Sequence, residues 1–193
     1  MYRILVTLTI ISSLVLSQLN AQTGKGEEFF DGWAVTKKGD TLRGKISYRN
    51  GRTGEIYQQD KKLIIVDTVT GAKKKYGHEK LQSFSCDGKL FEFISLDPNL
   101  PPFMMQKVID GDALLYKAWF VDDKSTNQKF SYEEVTFIKK KTDTQFTEVM
   151  EKGFKKTMKE FFAGDGQILE LIKNNNWGVK DLEKIVTAYN ELE

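Results

Sequence analysis

The chain has 193 residues, with 29 Lys and Arg against 27 Asp and Glu, for a formal charge of +2. So even a balance excludes the one-sided basic face of a dedicated nucleic-acid binder. One histidine and one cysteine exclude a histidine-rich or multi-thiolate metal site and any internal disulfide, so stability has to come from an apolar core.

The first 21 residues read as an export signal. Arg3 gives a short positive start, Ile4 to Leu16 is a largely apolar run, and Leu19-Asn20-Ala21 ends on a small residue suited to cleavage. The run falls short of the roughly 20 apolar residues that a spanning helix needs. No cysteine near the cleavage point is placed to accept a lipid. The expectation is an exported protein, periplasmic or secreted, with no transmembrane segment after the signal is removed. Loss of Arg3 takes the formal charge to +1.

Residues 22–30 form a polar lead-in, and an antiparallel β-domain is expected over 31–146. Its first feature is Gly32 to Ile46, where two β-forming runs flank Gly39-Asp40, a pair suited to the positive φ angles of a tight hairpin. Thr41 to Tyr48 pairs back on the first strand, and Asn50-Gly51 marks another turn. Leu63-Ile64-Ile65-Val66 has the continuous apolar character of a well-buried strand. Asp87-Gly88 separates Phe84-Ser85-Cys86 from Leu90 to Ile94, and Asp110-Gly111 separates Phe103 to Ile109 from Ala113 to Val121. Strands at this spacing, joined mostly by hairpin turns, predict an antiparallel meander forming a barrel or a sandwich. Lys73-Lys74-Lys75 and Lys139-Lys140-Lys141 abut strand-like runs and read as solvated edge lysines that discourage aggregation.

A faint repeat aligns Lys75-Tyr76-Gly77-His78-Glu79 and the residues to Phe84 with Lys129-Phe130-Ser131-Tyr132-Glu133 and the residues to Ile138. Both copies read as an incoming strand, a tight corner and an outgoing strand. Near Thr147 the apolar period lengthens from two to about three and a half, so 147–193 is expected to be helical. Met150, Phe154, Met158, Phe161 and Phe162 share one face of a first helix, with Gly153 inside it. Asp165 can cap a second helix carrying Ile168, Leu169, Leu171 and Ile172. After Asn174-Asn175-Asn176, a third helix puts Leu182, Ile185, Val186, Tyr189 and Leu192 on one stripe. The fold class is therefore α+β, a β-domain followed by about three helices.

Three segments carry a resemblance. They are Gly32-Trp33-Ala34-Val35-Thr36-Lys37-Lys38-Gly39-Asp40-Thr41-Leu42-Arg43-Gly44-Lys45-Ile46, then Asp110-Gly111-Asp112-Ala113-Leu114-Leu115-Tyr116, then Asp181-Leu182 through Tyr189-Asn190. Together they resemble a loose family of small exported Bacteroidota proteins of unknown function. The resemblance implies export and an N-terminal β-domain with C-terminal helices, and it lends no catalytic residue.

Catalytic signatures are sparse. There is no Gly-x-Ser-x-Gly elbow, Walker loop or dinucleotide fingerprint, so no cofactor is expected. Asp40-Thr41 and Asp67-Thr68 resemble the start of an aspartic-protease Asp-Thr-Gly, but Leu42 and Val69 stand at the glycine position. Cys86 would need a basic partner to form a thiolate, and His78, read as a corner residue, is the only histidine. Asp110 and Asp112 are the candidate metal ligands, with Asp122 and Asp123 as helpers, although the same residues also serve a hairpin turn.

Aromatic residues are the more suggestive feature, with 13 Phe, 7 Tyr and 3 Trp. Trp33, Trp119 and Trp177 read first as packing and second as a ligand face. Asp97 to Met105 holds all three prolines, and Phe103, Met104 and Met105 follow as adaptable rim residues. The candidate ligand-binding residues are thus Trp33, Trp119, Phe103, Met104 and Met105. The function expected is a non-catalytic binding or structural module of the cell envelope, with a protein, glycan or lipid partner. The alternative is a hydrolase using a carboxylate pair or an oxygen-ligated cation.

Overall fold

The computed structural model describes residues 28–48, 62–121 and 132–192. The export signal, most of the lead-in, the Asn50-Gly51 turn, Asp122, Asp123 and Lys129-Phe130-Ser131 lie outside the described residues.

The fold is α+β. Among the described residues ten strands form one antiparallel sheet: β1 (Phe30–Thr36), β2 (Thr41–Ser47), β3 (Leu63–Val66), β4 (Lys73–Tyr76), β5 (Leu81–Cys86), β6 (Lys89–Ile94), β7 (Phe103–Ile109), β8 (Ala113–Val121), β9 (Tyr132–Lys140) and β10 (Thr147–Val149). Their order is β10-β9-β8-β7-β6-β5-β1-β2-β3-β4. Two meanders are therefore joined edge to edge where β1 pairs with β5. Among the described residues no ladder joins β4 to β10, so the hydrogen-bonded sheet is open. Of the two lysine runs, Lys73, Lys74 and Lys75 are exposed on the outermost strand β4, whereas Lys139 and Lys140 are half-buried on β9, between β8 and β10, and are not at an edge.

The sheet curls around the junction of β1 and β5. Tyr48 follows β2 and Phe91 lies on β6, three strand spacings away, which is roughly 14 Å in a flat sheet. Their ring centroids are 5.0 Å apart, and Phe91 stacks on Phe84 at 4.8 Å. Ala34, Ile46, Leu81 and Cys86 complete this buried core. Gly32 and Gly44 are direct cross-strand partners at the bend. A Cβ on Gly32 would meet the Ser85 carbonyl, and one on Gly44 the Val66 carbonyl. The glycines that bracket the first motif allow the curl.

Turn chemistry explains most hairpins. Asp87 and Gly88 both have positive φ, 53° and 67°, as a two-residue hairpin of primed type requires. The first hairpin is wider than its sequence suggests. Residues 37–40 form its loop, and only Gly39 is left-handed, at φ 92°. The second repeat copy departs from its predicted corner, because Tyr132–Lys140 is one continuous strand paired with β8 from end to end. A straight strand paired over nine residues leaves no place to turn.

Three helices follow: α1 (Phe154–Phe161), α2 (Gly166–Asn174) and, after a 3-10 turn (Val179–Asp181), α3 (Leu182–Leu192). The helical segment begins later than its periodicity suggests. Thr147–Val149 pairs with β9, Met150 is 57% exposed, and Gly153 is the left-handed residue before α1 rather than part of it. The Asp165 cap forms as expected, its carboxylate accepting from the N–H groups of Gln167 at 3.1 Å and Ile168 at 3.2 Å.

The helices cover one face of β8 and β9. Ala113, Leu115 and Ile138 from the sheet meet Phe154, Met158, Phe162, Ile168, Leu182, Ile185, Val186 and Tyr189. The β7–β8 ladder ends at the Ile109–Leu115 pair, leaving Ala113 without a strand partner on that side. Asn190 of α3 fills the gap. Its Oδ1 accepts from the Ala113 N–H at 2.7 Å, and its Nδ2 donates to the Ala113 carbonyl at 2.9 Å. Gly111 is not left-handed, so it is not needed as a turn glycine. A Cβ there would collide with the Asn190 amide.

Replacing Asn190 with Ala leaves two part-buried backbone groups unpaired and should cost about 1–3 kcal/mol in urea unfolding. Gly111→Ala should also destabilise, by displacing the same amide. The double variant should lose less than the sum, because Asn190→Ala makes room for the new methyl. Full additivity would show that the two positions are not coupled.

Candidate functional site

The outer side of the helical layer carries a groove of about 350 Å³. Its floor is apolar: Met158 from α1, Leu169 and Ile172 from α2, and Trp177 from the connection that follows. Met158 and Ile172 are buried in the core below, and Leu169 and Trp177 are half-buried. The rim holds Lys155 and Lys159, one helical turn apart on α1, and Lys173 on α2, with Asn176 beside them. All three lysines are exposed. Among the described residues none of them forms an ion pair, whereas neighbouring Lys156 pairs with Glu160 at 3.8 Å.

Local structure fixes this geometry. The Asp165 cap starts α2 so that Leu169, Ile172 and Lys173 share a face toward α1. Asn176 is left-handed, at φ 50°, and the Trp177 N–H donates to the Ile172 carbonyl at 3.0 Å. That closing turn folds the indole back over α2. The first turn of α1 contains Lys155 and Lys156 and no acid, against the preference of a helix N-terminus for negative charge. Helix stability alone does not account for those lysines.

The residues singled out from sequence do not form one site. Adjacent positions on a strand point to opposite faces. Met104 accordingly packs toward the Phe84–Phe91 core with Trp119, whereas Met105, at 0% exposure, lies on the other face with Leu114, Tyr116 and Phe137. Phe103 packs on Phe120 at 5.2 Å on that second face. Trp33 faces away from the Phe84–Phe91 core, opposite Arg43, with β5 and β6 between it and β7. The proline-rich connection 95–102 is tied to itself, with Asn99 N–H donating to the Asp97 carboxylate at 2.8 Å and Ser95 Oγ to the Asp97 carbonyl at 2.7 Å.

The proposed metal ligands have other company. Asp110 is 66% exposed and its carboxylate lies 3.6 Å from the ammonium of Lys107, while Asp112 is exposed. Among the described residues no group of three or more His, Cys, Asp or Glu side chains is arranged to hold a metal ion. Lys107 instead belongs to a half-buried network, 2.8 Å from Glu92, which also accepts from the Tyr116 hydroxyl at 2.8 Å. Burial, with the hydrogen bond to Glu92, pushes the Tyr116 phenol well above its ordinary value of 10.0. A phenol held neutral and donating to a carboxylate is a structural donor, not an activated nucleophile.

Asp67 is likewise a turn-former. It accepts from Thr70 N–H at 2.7 Å and Val69 N–H at 2.9 Å, and these bonds hold its carboxyl below the usual carboxylate value. Cys86 is buried and offers no accessible thiol. On the helix-covered face, Lys117 lies 3.0 Å from Glu183 of α3 and 3.3 Å from Glu134 of β9. Burial would lower its pKa, but the two carboxylates outweigh it and raise the value above 10.5.

Sequence reasoning missed the groove because no motif marks it. The available signal was a helical face carrying Lys155 and Lys159 beside Met158, followed by a tryptophan just past the next helix. No helix among the described residues is long and apolar enough to cross a membrane. No protein-family model, curated protein or solved structure matches the chain.

Tyr116 and Lys117 both have raised folded-state pKa values, so their contributions to stability are complete at neutral pH. They are lost as pH climbs past their ordinary values of 10.0 and 10.5. Ultraviolet titration should therefore show Tyr116 ionising only as the protein unfolds. Tyr116→Phe should lower the amplitude of the delayed step by one phenol, and an unchanged amplitude would contradict the assignment.

Proposed function

We propose that this chain is an exported, non-catalytic binding module of the cell envelope, and that it binds through the groove between α1 and α2. The observation that carries this reading is the groove itself, an apolar floor with an indole and three unpaired lysines at its rim. Half-buried Leu169 and Trp177 beside charge of one sign support recognition of a ligand there. The polar clusters elsewhere favour the same conclusion, because their members are engaged with one another. The export half of the proposal rests on the signal-like pattern of residues 1–21. A hydrolase centred on Asp110 and Asp112 has less support, since the Asp110 carboxylate lies 3.6 Å from the Lys107 ammonium.

The test is native mass spectrometry and hydrogen exchange on protein purified from its own envelope or medium, compared with the same protein stripped by unfolding and refolding. The expected result is a discrete added mass before stripping, with slower amide exchange in α1 and α2. A bare protein whose helices exchange identically in both preparations would contradict capture at this groove.

A further inference from the structure

Resting on the reading that the groove binds, we infer that its occupant is a small anionic amphiphile: one apolar arm carrying a carboxylate or similar acidic head. The arm would lie on the half-buried Leu169 and Trp177, above the buried Met158 and Ile172, and the head would sit among Lys155, Lys159 and Lys173.

Charge selects the sign. The three ammonium groups offer donors and no acceptor, and among the described residues no acidic side chain lines the groove. A cationic or neutral head would leave like charges crowded at the rim, whereas an anion is attracted by all three. The lysines stand on flexible stems at exposed positions, so the head can stay hydrated while contacting them. The site therefore attracts a negative head without demanding the flat, two-toothed geometry that arginine would impose.

Size selects one arm over a peptide helix. The lining segments Lys155–Lys159 and Leu169–Lys173 each advance about 6 Å along their helix axes. An amphipathic peptide helix anchored at positions i, i+4 and i+7 needs about 10 Å of continuous groove. A volume of about 350 Å³ lies at the small end of ligand sites, enough for a single chain. The floor is a thioether, two branched aliphatics and an indole, and it makes no polar demand along the arm.

The test uses isotopically labelled exported protein titrated with decanoate, decanol and decylammonium below their micelle thresholds. The readout is the Trp177 indole N–H resonance, assigned by its loss in Trp177→Phe. Decanoate should shift this resonance and bind about tenfold or more tightly than decylammonium, with decanol between them. Exposed lysines of this kind each contribute about two- to fivefold, so the double variant Lys159→Glu/Lys173→Glu should weaken decanoate about tenfold or more. The same variant should reverse the order in favour of decylammonium, with a melting temperature only modestly lowered, because both lysines lie in the last turns of their helices, where an acid is disfavoured.

Equal shifts from all three compounds, untouched by the double variant, would overturn the anionic head and leave the groove as a plain apolar site. No shift of Trp177 with any compound would overturn the inference. The stripped-versus-native exchange comparison then decides separately whether the groove binds something larger. An acidic helical peptide that protects α1 and α2 far beyond the groove, and that decanoate does not displace, would also overturn it.

Discussion

The arrangement depends on how α3 is fixed across β8. Strand β8 runs past the end of its ladder with β7, and the orphaned backbone of Ala113 is paired by a side-chain amide instead of a strand. An unpaired N–H and carbonyl at this part-buried position would together cost about 1–3 kcal/mol, so the amide is a strong positional constraint. Around it, Leu182, Ile185, Val186 and Tyr189 supply the apolar contact, and Lys117 reaches Glu183 from the sheet. With α3 held, Phe162 packs on Tyr189 with ring centroids 4.9 Å apart, linking the end of α1 to α3. The groove is the outer surface of a layer positioned from below.

The two sheet faces do different work. One is closed at one end by the curl of the sheet around the β1–β5 junction and at the other by helices. The opposite face of β7 to β9 has its own cluster of Met105, Leu114, Tyr116, Ala118 and Phe137. The Glu92–Lys107–Tyr116 network lies beside that cluster and satisfies groups that burial would otherwise penalise. Strand β8 is consequently buried on both sides. Its sequence, Ala113-Leu114-Leu115-Tyr116, accordingly reads as a continuous apolar run rather than an alternation.

Much of the fold was legible where local chemistry decides the outcome. Asp87-Gly88 announces a hairpin because few other pairs accept two positive φ angles, and Asp165 announces a helix start because its carboxylate satisfies two orphan N–H groups. Legibility fails where a distant partner decides. The stretch from Thr147 to Val149 carries a helical apolar spacing, yet β9 offers it a ladder. Gly111 resembles a turn glycine, and its reason for lacking a side chain is an asparagine 79 positions away. Two segments noted separately for their resemblance, Asp110 to Tyr116 and Asp181 to Asn190, turn out to meet at that contact.

The candidate site was the least legible part, for a related reason. Trp33, Trp119, Phe103, Met104 and Met105 are large and conspicuous, but strand alternation sends them to different faces. The groove is assembled instead from ordinary positions on two helices and one connection, and only packing brings their lysines to a common rim.

The most direct test of this account is to place a photoreactive side chain at position 173 in the protein produced by its own cell. A second copy with the same group at Lys38, an exposed position in the β1–β2 loop, serves as control. After irradiation the account predicts a small acidic amphiphile joined at position 173 and absent from position 38. Equal labelling at both positions, or a bare residue 173, would contradict it.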